Sequence, residues 1–175
     1  MIYNSIVISS GHGLHVPGAH GLISEVDEAR MVVDRVAEEL RAREVAVIVF
    51  HDDTSKSQSE NLDTIVDFHN MHVRDLDVSV HFNAFETTSK AMGTEVLYVT
   101  QRDLAADVSD AIANSAGFID RGPKQRTDLY FLNQTDMPAI LIEVCFADSD
   151  ADVALYGEQF DEICKAIANV LAGRE

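Results

Sequence analysis

The chain has 175 residues, 46% of them hydrophobic, enough for one well-buried core, and we read residues 1–175 as a single domain. Its 30 acidic and 13 basic residues give a net charge of −17. That balance argues against nucleic acid, where affinity comes largely from Lys and Arg neutralising phosphate, and against docking by charge on an anionic membrane or wall polymer.

Residues 2–9 predict a buried strand and 10–24 a glycine-containing loop. Over 25–43, Ala29, Val32, Val33, Val36 and Leu40 recur at helical spacing. A continuous β-branched run predicts a second strand over 45–50, and the polar stretch 52–59 reads as loop. Leu62, Ile65, Val66 and His69 mark a second helix, and 76–80 a third strand that ends at His81. A polar stretch over 84–93 leads through Gly93 into a strand over 94–99, followed by a helix over 102–115. The segment 117–127 is basic for this chain, with Arg121, Lys124 and Arg126, and Gly122-Pro123 predicts a turn. A short strand is expected over 129–132 and another, after Pro138, over 139–144. The final helix, 151–172, carries Val153, Leu155, Phe160, Ile163, Ile167, Val170 and Leu171.

Alternation of strands and helices predicts an α/β fold of three layers, a mostly parallel twisted sheet of about six strands with helices on both faces. Residues 1–10 show neither a basic region nor a long apolar stretch, and nothing approaches transmembrane length. The expectation is a chain made in the cytoplasm without a signal peptide and without membrane insertion; action outside the membrane would require release by something else. Cys145 and Cys164 lack the spacing of a disulfide framework or a zinc knuckle and are expected to be buried free thiols.

Three apolar runs stop at a metal-competent side chain: Ile-Val-Ile-Ser-Ser-Gly-His12, Val-Ser-Val-His81 and Ala-Ile-Leu-Ile-Glu143. In an open α/β sheet functional residues gather at the carboxyl ends of strands, so these point to one site. Flanking glycines at 11 and 13 leave room near the His12 ring. Glu25 opens the first helix, where capping and the helix dipole also favour a carboxylate, and Asp27 and Glu28 compete with it as ligands. Glu143 interrupts an apolar strand, where an ionised carboxylate is costly without a partner. It is paired with an Arg, or it is a general base beside metal-bound water. Arg121, Lys124 and Arg126 could hold an anionic substrate group. His15 and His20 could flank substrate; His51, His69 and His72 read as structural or exposed. The segment Ser9-Ser10-Gly11-His12-Gly13 lacks the lysine of a phosphate loop.

Seven pieces in order resemble the zinc-dependent N-acetylmuramoyl-L-alanine amidases, in the branch found in bacterial cell-wall hydrolases and phage endolysins. They are Ser-Gly-His12-Gly, Glu25, Val-His81-Phe-Asn83-Ala, Gly93-Thr-Glu-Val-Leu-Tyr, Arg121-Gly-Pro-Lys124, Leu129-Tyr-Phe-Leu and Met137-Pro-Ala-Ile-Leu-Ile-Glu143. The resemblance implies Zn2+ held by His12, Glu25 and His81, with Glu25 preferred over Glu28, and Glu143 as catalytic acid/base. It further implies Asn83, Arg121 and Lys124 as substrate-binding residues and bacterial peptidoglycan as the substrate, cleaved between N-acetylmuramic acid and L-alanine. Ser10, and Leu14-His15-Val16-Pro17 after Gly13, depart from the family pattern in the substrate loop. A C-terminal cell-wall-binding module beyond this chain and a role in host lysis are further expectations.

Overall fold

A computed structural model describes residues 3–173; Ile2, where the first strand was expected to start, and the C-terminal Arg174 and Glu175 lie outside it. Six strands, β1 (Ser5–Gly13), β2 (Ala46–Asp52), β3 (Leu76–Asn83), β4 (Thr94–Tyr98), β5 (Asp120–Gln125) and β6 (Ala139–Phe146), form one sheet in the order β2-β1-β3-β6-β4-β5. Every neighbouring pair is parallel except β4 against β6. Helices α1 (Glu25–Ala42), α3 (Arg102–Ala116) and α5 (Asp150–Leu171) cover one face, and α2 (Gln58–Asn70) and the short α4 (Tyr130–Gln134) the other. The expected three-layer α/β architecture is the one observed.

The two faces are unequal. The larger core gathers Ile6, Ile8, Val36, Leu40, Val78, Ile140, Ile142, Ile163 and Ile167. A small cluster of Ile65, Val66, Leu97, Phe131, Leu132 and Leu141 lies under α2 and α4. Strand β3 shows how sequence sorts the faces. Its even-numbered residues Leu76, Val78, Val80 and Phe82 belong to the larger core, whereas Asp77, Ser79, His81 and Asn83 alternate with them. Side chains alternate across a strand, so β3 presents a polar row toward α2 and α4.

Three local expectations are corrected. The segment over 117–127 does not turn back at Gly122-Pro123 but contributes the edge strand β5. Gly122 (φ 72°) lies where the β4–β5 register shifts. A positive-φ glycine serves a bulge as readily as a turn, and proline is tolerated on an edge strand. Residues 129–132 form no strand; Tyr130 opens α4, which tucks Phe131 and Leu132 into the small core. A four-residue apolar run carries no periodicity that separates the two states. Strand β1 runs to Gly13, beyond the strand end expected at residue 9, so His12 sits within it.

Among the described residues, no helix is long and apolar enough to cross a membrane. Cys145 and Cys164 are buried and free, as expected.

Candidate active site

The last residues of β1, β3 and β6 and the first residue of α1 converge on the α2/α4 side of the sheet. His12 has φ 62°, in the left-handed region, where a non-glycine residue is uncommon and histidine is among the enriched types. That twist takes its ring off the strand's alternation and toward α1, leaving Nε2 3.4 Å from Glu25 Oε2. Glu25 is 3% exposed. Its Oε2 accepts from the Ala19 N–H at 2.5 Å, and its Oε1 accepts from the Phe82 N–H at 3.1 Å and lies 3.0 Å from His81 Nδ1. Of the three carboxylates in the first turn of α1, Glu25 is the one beside the two histidines: the Glu28 carboxylate accepts from Tyr156 Oη at 2.8 Å, and Asp27 is exposed.

One donor atom each from His12, Glu25 and His81 lies within 4.8 Å of the other two. Ligands at about 2.1 Å from a tetrahedral ion stand roughly 3.4 Å apart. Each histidine already stands at about that spacing from one oxygen of the Glu25 carboxylate, His12 Nε2 3.4 Å from Oε2 and His81 Nδ1 3.0 Å from Oε1. Backbone approaches the cluster at two glycines: a Cβ on Gly18 would meet Glu25 Oε2 at 2.1 Å, and one on Gly11 would meet the His81 ring at 2.1–2.4 Å. Two imidazoles and one carboxylate are the donor set of a catalytic zinc site with a fourth position open.

Electrostatics agree. Burial pulls His12 below its ordinary value, helped by His81 and opposed by Glu25. Burial acts the same way on His81, but the hydrogen bond and charge of Glu25 outweigh it and the net shift is upward. For Glu25 burial is outweighed by His81, His12 and the Ala19 N–H, and its carboxyl is held low. Glu25 and the two histidines thus form a mutually stabilised, electrostatically coupled set.

Glu143 stands opposite His81 on the neighbouring parallel strand. Its Oε2 is buried and has no hydrogen-bond partner among the described residues. Burial, reinforced by the carboxylates of Glu25 and Glu95 and opposed by His81 and Arg126, pushes it up to about 7. Among the described residues no Arg forms an ion pair with it, so the alternative of an Arg partner is not the arrangement seen.

Glu95 was missed in the sequence. It faces Glu143 across the antiparallel β4–β6 pair, accepts from Asn83 Nδ2 at 3.1 Å and from Arg121 Nε at 2.7 Å. The Arg121 guanidinium also lies over the Phe146 ring, 5.0 Å from its centroid. Thus Asn83 and Arg121 are brought together beside Glu143, whereas Lys124 is exposed on β5 without an ion pair among the described residues. Arg126 is engaged by Asp128 at 2.8 and 2.9 Å. The signal for Glu95 was a carboxylate in a strand two residues after Gly93, the same kind of signal that singled out Glu143. His51, His69 and His72 hydrogen-bond within the fold, to Ser10, to Asp77 and Ser9, and to the Phe68 carbonyl. His15 and His20 are exposed on the β1–α1 loop.

An open α/β sheet whose strand ends hold a His/Glu/His cluster beside a buried carboxylate has the layout of a metal-dependent hydrolase. Residues 6–172 match the family model described as N-acetylmuramoyl-L-alanine amidase, and the chain belongs to that family. An uncharacterised 38.4 kDa protein of Clostridium perfringens is 32% identical over 166 residues, which make up 90% of this chain and 47% of that protein. The probable cell wall amidase LytH of Staphylococcus saprophyticus is 25% identical over 158 residues, 89% of this chain and 52% of that protein. The chain spans about half the length of the curated relatives it matches. Among solved structures, the catalytic domain of an endolysin targeting Clostridia Difficile superposes with a TM-score of 0.86 at 26% identity, covering 98% of both chains. An N-acetylmuramoyl-L-alanine amidase from Clostridium difficile 630 gives 0.84 at 25% identity, over 97% of this chain and 95% of that one.

Proposed function

We propose that this chain is a zinc-dependent amide hydrolase that cleaves bacterial peptidoglycan between N-acetylmuramic acid and L-alanine. The observation that carries the reading is the convergence of His12, Glu25 and His81 next to the Glu143 carboxylate, whose Oε2 is buried without a hydrogen-bond partner among the described residues and which is pushed up to about 7. His12, Glu25 and His81 would hold the ion. Zinc bound there supplies a Lewis acid that lowers the pKa of water toward about 7 and polarises a carbonyl. Glu143 takes the proton from the attacking water and delivers it to the amine nitrogen of L-alanine as the amide bond breaks. A carboxylate near pH 7 is suited to both transfers. Asn83 and Arg121, fixed on Glu95 at the rim, orient the substrate, with Arg121 meeting an anionic group of the peptide. Lys124 is the outermost of the three and would act on the same group at longer range.

Family membership and the likeness to amidase structures support the choice of bond and polymer. The likeness to an endolysin catalytic domain supports action on the wall in host lysis. The longer relatives are in keeping with a wall-binding module joined to such a catalytic unit.

The test is digestion of purified peptidoglycan with zinc-loaded protein, with and without a chelator, followed by mass analysis. New L-alanine amino ends on intact glycan strands, lost on chelation and restored by zinc, are expected. Zinc-loaded protein that releases no such ends would overturn the assignment.

A further inference from the structure

The His81 ring is held at both nitrogens. Nδ1 faces Glu25 and the ligand cluster, while Nε2 lies 3.1 Å from Ser79 Oγ. Ser79 is 2% exposed, two residues earlier on β3 and therefore on the same face of the strand. A neutral imidazole has one donor and one acceptor nitrogen. For Nδ1 to offer a lone pair to a metal, the proton has to sit on Nε2, and a buried N–H needs an acceptor.

Behind Ser79 lies a string of buried polar groups whose direction is fixed from its far end. Arg74 donates from Nε and Nη2 to the two oxygens of Asp77, each at 2.8 Å. Asp77 lies 2.8 Å from His69 Nδ1, and His69 Nε2 lies 3.0 Å from Ser9 Oγ. Ser9, His69 and Asp77 are all 0% exposed. An ionised Asp77 only accepts, so His69 carries its proton on Nδ1 and Nε2 accepts the Ser9 hydroxyl proton. Ser9 is the register partner of Ser79 on the adjoining strand. The Ser9 hydroxyl is thereby engaged by His69, and the Ser79 hydroxyl by His81.

We infer that Ser79 is a positioning residue for the metal site: its buried hydroxyl, 3.1 Å from His81 Nε2, accepts Nε2–H and so fixes the tautomer that presents Nδ1 to the ion. The inference rests on His12, Glu25 and His81 being the zinc site. Partners of this kind, on the far nitrogen of a ligating histidine, are worth about 10–100-fold in metal affinity.

The experiment measures zinc affinity by competition with a chromophoric chelator for the whole chain, Ser79→Ala and Ser79→Thr, together with His12→Ala as a ligand control. Ser79→Ala should bind zinc about 10–100-fold more weakly, while Ser79→Thr, which keeps the hydroxyl and suits a strand, should stay close to the original value. In the zinc-loaded unsubstituted chain, 15N chemical shifts of His81 should show protonated Nε2 and metal-bound Nδ1; the reverse pattern overturns the inference without any variant. Equal zinc affinity in the chain and in Ser79→Ala overturns it while the zinc site stands. Failure of the unsubstituted chain to take up zinc, or retention of zinc by His12→Ala, removes the site reading and this inference with it.

Discussion

A single added methyl group at Gly11 tests the geometry of the ligand cluster directly. The φ of Gly11 is outside the left-handed region, so alanine brings no backbone strain and the effect is purely steric. Its Cβ would lie 2.1 Å from His81 Cε1, 2.2 Å from Nε2 and 2.4 Å from Nδ1. Restoring a carbon–carbon separation of roughly 3.5 Å requires the ring or the strand to retreat by more than about 1 Å. The ring cannot do so and keep both its bond to Ser79 at 3.1 Å and its approach to Glu25 at 3.0 Å. Metal–ligand distances tolerate about 0.2 Å, so zinc affinity should fall by at least about 100-fold. Overpacking adds about 1–3 kcal/mol of destabilisation. Gly157 in α5 is the control, since a Cβ there meets nothing within 4 Å and alanine gains about 0.5–1 kcal/mol in a helix. Chelator competition gives the affinity, and thermal unfolding in chelator gives the stability. If Gly11→Ala held zinc as tightly as the unsubstituted chain, the packing of His81 against β1 would be wrong.

Two further substitutions probe the proton carrier and the rim. Glu143→Gln should keep zinc and lose about 10²–10⁴ in rate. In metal-free protein, burial raises the Glu143 carboxyl, so the folded state holds this proton longer than the unfolded state does. Its contribution to stability is therefore lost as pH climbs from the ordinary carboxylate range to about 7. Glu143→Gln should flatten that decline, by roughly 1–3 kcal/mol between pH 5 and 8; unfolding curves with the same pH slope in both proteins would contradict the burial. Arg121→Ala should raise KM about tenfold with kcat little changed, because it removes a charged contact made to bound substrate. A defined muropeptide in steady-state kinetics separates the two constants, and an unchanged KM would take Arg121 out of substrate binding.

Much of the site was legible as punctuation of apolar strands. His12, His81 and Glu143 each end or interrupt a β-branched run, and a polar group in a buried strand demands a partner. Glu25 was ambiguous for a physical reason: the first turn of any helix favours carboxylates, and three stand there. Glu95 passed unnoticed although it interrupts the buried run of β4 as Glu143 interrupts β6, and Ser79 because a lone hydroxyl on a half-polar strand has no distinguishing local pattern. The Gly122-Pro123 segment misled because turn chemistry and edge-bulge chemistry use the same residues.

By itself, then, the sequence determined the layer architecture, through periods of 2 and 3.6 that hold wherever an element buries one face, and the residue types of the cluster. Only the tertiary structure decided which carboxylate of α1 joins the two histidines, that Glu143 has no arginine partner among the described residues, and that Asn83 and Arg121 share Glu95. Those are matters of register and crossing between strands distant in the chain. One-residue shifts of register exchange the faces of a strand, and no local pattern records which strand will lie beside it.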